Sequence, residues 1–346
     1  MPRTMILTCR NPWRRSATYQ RPIVQRPQPS AIQMEDAFHQ LAPDGDVILV
    51  VQAPSTAFAV WAETQPATET DRPKARMRVS SSHLTLASAY FKVMFRGDWK
   101  EKHTLSSDGS VSISMEHWPS EMLILMNIIH GHTFKIPRAL PLEKLAKLAV
   151  LVDYYQCFEV VEVYSEMWIN HLNADFPKAY SRDLILWICI SEVFRRPEQY
   201  KAATRIAIRE SHGPIPTLGL PITTKTVDRI EEQRQKLIDR TVKSLHNFLI
   251  SYCKHVENPS DHDFLSLGVF TLEMMRLDLL SPRPKKPFRG HSFERIAIRL
   301  HNLPSQLPSI SSFPPDQQHR PDTLSLSHAI NGMMDVSTEG LVLEKV

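Results

Sequence analysis

The chain of 346 residues is poor in glycine, with only 10, and no two of them are separated by a single residue. That excludes the glycine-rich turn that brings a backbone close to a dinucleotide, and no G-x-x-x-x-G-K is present to cradle phosphates. G-x-S-x-G and H-E-x-x-H are also missing, so no nucleophile elbow and no paired-histidine zinc helix can be drawn. The four cysteines, Cys9, Cys157, Cys189 and Cys253, are scattered. Structural zinc needs ligands at short, repeated separations, and these positions do not supply them. N-x-[ST] acceptors are absent too. Free thiols of this kind fit a reducing compartment, and the expectation is an intracellular protein of cytoplasm and/or nucleus. With no constellation for catalysis, metal or cofactor, the chain reads as a non-enzyme.

Long apolar runs are equally lacking. The longest, residues 184–190, is far short of the roughly 18–20 residues of a membrane span and reads as a buried core helix. Charge is nearly balanced, 41 basic against 37 acidic residues, for a net +4. This is too mild to point to nucleic acid. The first 33 residues contain Arg3, Arg10, Arg14, Arg15, Arg21 and Arg26 with no acid until Glu35. The composition is that of a mitochondrial presequence, but Pro2, Pro12, Pro22, Pro27 and Pro29 would break the amphipathic helix such a signal needs. The segment reads as a basic, proline-rich disordered tail, extended to residue 42.

What is present is one ordered series. Residues 46–51, Asp-Val-Ile-Leu-Val-Val, predict a fully buried strand after a short helix at 34–41 carrying Met34, Phe38 and Leu41 on one face. Phe58, Val60 and Trp61 suggest a second strand, followed by a polar loop up to Lys74. Residues 76–79 form another strand leading into a helix over 83–95. Ser82 is its N-cap, and Leu84, Ala87, Phe91, Met94 and Phe95 recur at helical spacing up to Gly97. Val111, Ile113 and Met115 alternate with serines as a half-exposed strand. Helices then run from Pro119 to Gly131, from Pro141 through Val152, and over 158–172.

From residue 182 onward no strand pattern remains. Helices are expected at 182–195, 198–211, 225–254, 262–280 and 292–302. In the long helix the stripe Val227, Ile230, Leu237, Thr241, Leu245, Phe248 and Tyr252 is interrupted by Arg234 and Thr241. It therefore reads as a helix packed within its own domain rather than a coiled-coil seam. The basic run from Arg283 to Arg289 reads as a solvated linker. Cys253, His255, Asp261, His262 and Asp263 read as a polar helix–helix loop. His130 and His132, at a helix C-terminus, read as cations placed against the helix dipole.

The order of segments over 46–172 resembles a BTB/POZ domain. The residues that carry the likeness are Asp46, Val79, His83, Leu86, Ala87, Ser88, Phe91, Met94 and Phe95, then 127–131 (Asn-Ile-Ile-His-Gly) and the helix 145–155. Residues 182–194, 204–211, 217–222 and 279–284 resemble the helical half of a group of fungal BTB proteins. The resemblance implies an α+β BTB/POZ domain at 43–175, followed by an all-α C-terminal domain at 178–303 and a largely disordered tail at 304–346. It implies a protein-interaction adaptor, with delivery of clients to a cullin-type ubiquitin ligase as one use and a nuclear, transcription-associated role as the alternative. Its partners would be proteins, a cullin scaffold or a second copy of the chain, with no membrane and no nucleic acid. No cofactor is implied. Interaction candidates by resemblance are Asp46, His83, Tyr90, Phe91 and Glu121. Only residues 31–45 are available for an exchanged N-terminal arm, and they lack that arm's Leu-Asn-x-Gln-Arg signature. Glu121 and Leu123 stand where cullin-binding members carry a hydrophobic residue and Glu.

Overall fold

Strand pairing begins earlier than the sequence pattern suggests. In the computed structural model, residues 37–61, 72–96, 100–255, 261–303 and 338–343 are described. Strand β1 (Ala37–Gln40) pairs in parallel with β3 (Lys74–Val79), which runs antiparallel to β2 (Val47–Gln52), and β2 pairs in parallel with β4 (Val111–Glu116). The sheet order is β1-β3-β2-β4. Ala37–Gln40 is therefore sheet, not part of a short helix and not tail. The backbone of β3 offers it a ladder, which outweighs a local helical preference. Met34 lies outside the described residues.

The sheet buries one face only. Val47, Leu49 and Val51 of β2 and Ala75, Met77 and Val79 of β3 are fully buried, while their alternate neighbours are partly accessible. The unbroken apolar run of β2 thus belongs to a half-buried strand, not one buried on both faces. Gly45 lies where only glycine fits, because an added Cβ would come within 2.6 Å of the Val79 carbonyl oxygen. Phe58, Val60 and Trp61 form no strand. Ala59 is left-handed at φ 48°, and the carbonyls of Phe58 and Ala59 are taken by the Arg182 guanidinium at 3.1 and 2.8 Å.

The helix expected over 83–95 is broken in two: α1 (Ser81–Ala87) and α2 (Ala89–Arg96). Ser88 is extended, at φ −133° and ψ 123°. Its hydroxyl accepts from the Phe91 amide at 3.2 Å and donates to the Tyr155 carbonyl at 2.5 Å, so it caps α2 and ties it to a later helix. Nor is Ser82 the cap of α1: that position is Ser80, with no side-chain cap bond. The polar α3 (Lys100–Asp108) carries no apolar stripe strong enough to be expected from sequence.

Helices α4 (Pro119–Ile129), α5 (Leu142–Tyr155) and α6 (Phe158–Leu172) complete the first half. The second half is α7 (Arg182–Val193), α8 (Pro197–Glu210), α9 (Thr224–His255), α10 (Asp261–Arg276) and α11 (Phe293–His301). Every residue of α7 from Leu184 to Ser191 is buried, because α5 covers one side and α8 the other. Arg234 does not interrupt the stripe of α9. It is fully buried, and all its N–H groups find acceptors: Glu231 by two bonds of 2.7 Å, and the carbonyls of Pro287, Phe288 and His291 at 2.6, 3.2 and 3.1 Å. That fork pins the loop after α10, with Phe288 buried beneath it. One short segment of the C-terminal tail lies within the described residues. Residues 338–343 pack on α8, with Leu341 buried.

Among the described residues, no helix is long and apolar enough to cross a membrane.

Candidate interaction surface

Three features meet around α1 and α2. The first is a polar hinge at the start of α1. The Asp46 carboxylate accepts from the Ser81 amide at 2.8 Å and from the Ser81 hydroxyl at 2.6 Å, so the residue before β2 caps a helix far along the chain. Beside it, the Ser80 amide donates to His130 Nε2 at 3.0 Å. The proton of His130 therefore sits on Nδ1, 2.9 Å from the Met126 carbonyl. Burial lowers the pKa of His130, and the exposed His83 ring stacks on it at 5.0 Å. His130 is thus a neutral link between α1 and α4, not the helix-end cation its position suggested.

The second feature is an aromatic cluster at the end of α5. Tyr90 of α2 meets Tyr154 and Tyr155 with ring centres 5.2 and 5.3 Å apart, and His117 meets the same two tyrosines at 5.3 and 5.5 Å. The Tyr90 and Tyr154 hydroxyls lie 3.5 Å apart. This contact, with burial, pushes Tyr90 up to about 12. Phe91 stacks on Tyr155 at 4.9 Å from the inner side.

Third is an open groove of about 700 Å³ along α1 and α2. Its walls include Leu86, Lys92 and Phe95 on one side and Gln156, Cys157 and Glu159 on the other. Gln156 and Cys157 directly follow the tyrosine pair. Burial pushes the Cys157 thiol up to about 12, so it is a protonated, weakly nucleophilic wall residue.

The region from β3 to α6 corresponds to one known domain: a family model for the BTB/POZ domain matches residues 70–172. The chain carries a BTB/POZ domain. No curated protein matches the chain. The BTB domain is followed by the helical half described above, and among the described residues no group of three or more His, Cys, Asp or Glu side chains could hold a metal ion.

The sequence candidates separate. Asp46, ahead of the matched region, bonds Ser81 at the start of α1, while His83 on α1 is exposed and Tyr90 on α2 half-buried. Phe91 (0% exposed) and Glu121 (3%) do not reach the surface. Phe91 is the core side of α2. Glu121 sits in the first turn of α4, accepting from the Ser120 hydroxyl at 2.6 Å, where a carboxylate complements the helix dipole. Missed by sequence were Leu86, Val93 and Tyr154, exposed by 89%, 60% and 50%. Leu86 matched a motif position, and Val93 and Tyr154 lay in helical stretches. Nothing in the pattern told which apolar side chains would point outward.

The two halves are clamped by Arg182. It gives a 2.9 Å bond to Glu143 of α5 as well as the two bonds to the Phe58 and Ala59 carbonyls. Burial alone would raise Glu143, but hydrogen bonds from Lys147 and Arg182 outweigh it and hold the carboxyl below its usual range. The Lys147 ammonium lies over the rings of Phe58 and Trp118 at 5.3 and 5.8 Å. The BTB core and the helical half are therefore joined by Arg182, by Arg196, which donates to the Glu162 carbonyl and the Ser165 hydroxyl of α6 at 3.1 Å each, and by the α5–α7 packing.

Proposed function

We propose that this BTB protein is a substrate adaptor for a cullin-type ubiquitin ligase, docking its scaffold through the apolar and aromatic α1–α2 face. The adaptor role itself follows from the BTB/POZ domain. The observation that supports the finer reading is the exposure of Leu86, which lines the α1–α2 groove, together with that of Val93 on α2 and Tyr154 at the end of α5. Apolar and aromatic anchors at the rim of a cleft are what protein–protein hot spots are made of. The helical half, rigidly coupled through Arg182, would carry the client.

The test is affinity purification of the full chain with quantitative mass spectrometry, against a Val93→Asp/Tyr154→Ala variant. Both residues are exposed, so the variant should fold. The expected result is a cullin scaffold enriched with the wild type and lost with the variant. If the wild type enriches no cullin scaffold, the ligase reading falls; if a second copy is recovered instead, the face is a dimer interface.

The alternative, a nuclear regulator close to nucleic acid, draws on the exposed Arg283, Lys285, Lys286 and Arg289. Asp239 is held below its usual range chiefly by the hydrogen bond from Lys243, and Glu232 by that from Lys236, with smaller contributions from Lys286 to both and from Arg283 to Asp239. The acidic face of α9 thus offsets part of the run. A filter-binding assay with no salt-dependent retention of DNA or RNA would remove this reading.

A further inference from the structure

The helical half holds a short peptide of this same chain in a groove, and the details of that contact point to recognition. The peptide is residues 338–343, Thr-Glu-Gly-Leu-Val-Leu, separated from the end of α11 by residues 302–337. Its central pair is buried and its flanks are open: Gly340 and Leu341 are covered, Glu339 and Val342 exposed. The Leu341 amide donates to Thr204 Oγ1 at 2.8 Å. Thr204 is itself fully buried in α8, and its hydroxyl hydrogen is directed to the Tyr200 carbonyl at 2.7 Å, which leaves an oxygen lone pair aimed into the groove. Gly340 lies against the α8 backbone so closely that an added Cβ would run into the Lys201 carbonyl. No other residue type fits there without moving the helix.

The groove walls are set in advance by contacts of their own. Arg209 is held by Glu294 of α11 at 2.8 and 2.9 Å and lies over the Phe293 ring at 4.6 Å, and it offers a 3.2 Å bond to the Thr338 hydroxyl. Arg229 of α9 reaches the Val342 carbonyl at 3.4 Å, and Lys201 approaches Glu339 at 3.6 Å. These contacts define a code: an acid, an obligatory glycine, a leucine whose amide is read by a buried threonine, and an apolar residue. The contact is also small. One apolar side chain is buried and no strand ladder holds the segment, which places it among the parts of a fold that open at low cost.

We propose that the surface formed by α8 and α9, with Arg209 held in place by α11, is a peptide-recognition site for an acidic–Gly–Leu–apolar segment, occupied in this structure by the chain's own Glu339–Val342 as a built-in competitor. A partner presenting such a segment gains access by displacing the tethered copy, whose effective concentration it must exceed. The site is separate from the α1–α2 face of the BTB domain, so its failure and the failure of the adaptor reading are distinguishable.

The experiment is fluorescence anisotropy with a labelled synthetic peptide of residues 336–346, titrated with the wild-type full chain and with full-chain Gly340→Val. The valine ejects the tethered segment and empties the groove. The expected result is binding to Gly340→Val tighter than to wild type by about tenfold or more, and binding to neither chain of a peptide carrying the same Gly→Val change. Thr204→Val added to Gly340→Val should weaken the peptide, because it removes the acceptor for the leucine amide. Equal binding to both chains, or none to Gly340→Val, would overturn the proposal. So would an unfolded Gly340→Val chain by circular dichroism, since a reversible ligand leaves its receptor folded when it goes. An independent measurement uses the wild-type sequence with a protease site inserted between residues 336 and 337. After cleavage the C-terminal fragment should separate on dilution and rebind when concentrated; a fragment that never separates marks the segment as a permanent part of the fold and sinks the idea.

Discussion

Asp46 grips Ser81 twice, its carboxylate accepting 2.8 Å from the amide and 2.6 Å from the hydroxyl. The residue that opens the central strand therefore also fixes where α1 begins, and with it the face formed by Leu86, Tyr90 and Val93. Asp46→Ala should cost about 1–2 kcal/mol, the size of a lost helix cap with an ionised acceptor. Asn should recover part of it, since it keeps one acceptor. Urea denaturation of the two variants checks this; equal midpoints for wild type and Ala would show that the cap contributes nothing.

Arg182 is the clamp between the halves. Arg182→Ala removes the bonds to Phe58, Ala59 and Glu143 and should destabilise by about 1–3 kcal/mol, the range for hydrogen bonds to charged groups. The more specific consequence is local. Hydrogen exchange over residues 53–61 should accelerate while β2 and β3 stay protected. Uniform acceleration across the sheet would contradict the assignment.

Arg234 gives the largest effect. Replacing it with Met leaves Glu231 and three carbonyls of the 287–291 loop without their donor in a buried place, at about 3–5 kcal/mol. Lys should not rescue, because one ammonium cannot span acceptors arranged for a planar fork. Thermal melts of Arg234→Met and Arg234→Lys test this directly, and a near-wild-type Lys variant would be the contrary result.

Acid should loosen the fold. His39, His117, His130 and His291 all have pKa values lowered from 6.5, chiefly by burial. In each case the unfolded chain binds protons more readily than the folded one. Stability is therefore fully present above about pH 6.5 and declines as pH falls below it. His130→Gln should reduce that slope, as Gln can still accept from the Ser80 amide without titrating. Melting temperatures at pH 7.5, 6.5 and 5.5 for wild type and variant would show it, and parallel profiles would remove His130 from the account.

Much of the architecture was legible because local signals are periodic. The boundaries of β4, α4 to α9 and α11 follow from apolar spacing, prolines at helix starts and Gly131. Where reading failed, a distant partner had decided. Ser88 sits inside a good helical stripe, yet the Tyr155 carbonyl holds it extended. Ala37–Gln40 could be a helical turn until β3 offers a ladder. Phe58 and Ala59 look like strand, but Arg182 takes their carbonyls. Phe91 matched a family pattern that says nothing about which side of a helix faces the core, and Glu121, which departs from that pattern, is buried in the first turn of α4.

The sequence alone determined the class of fold, since hydrophobic periodicity and punctuation are properties of neighbouring residues. Its poverty in glycine and lack of paired ligands also argued against nucleotide, metal and nucleophile chemistry. Only the tertiary structure decided the surface. Exposure of Leu86, Val93 and Tyr154, neutrality of His130, the buried fork of Arg234 and the seating of Gly340 on α8 each depend on groups brought together from far along the chain. Such contacts leave no periodic trace, because their energy comes from burial and hydrogen bonding between distant segments rather than from any local preference.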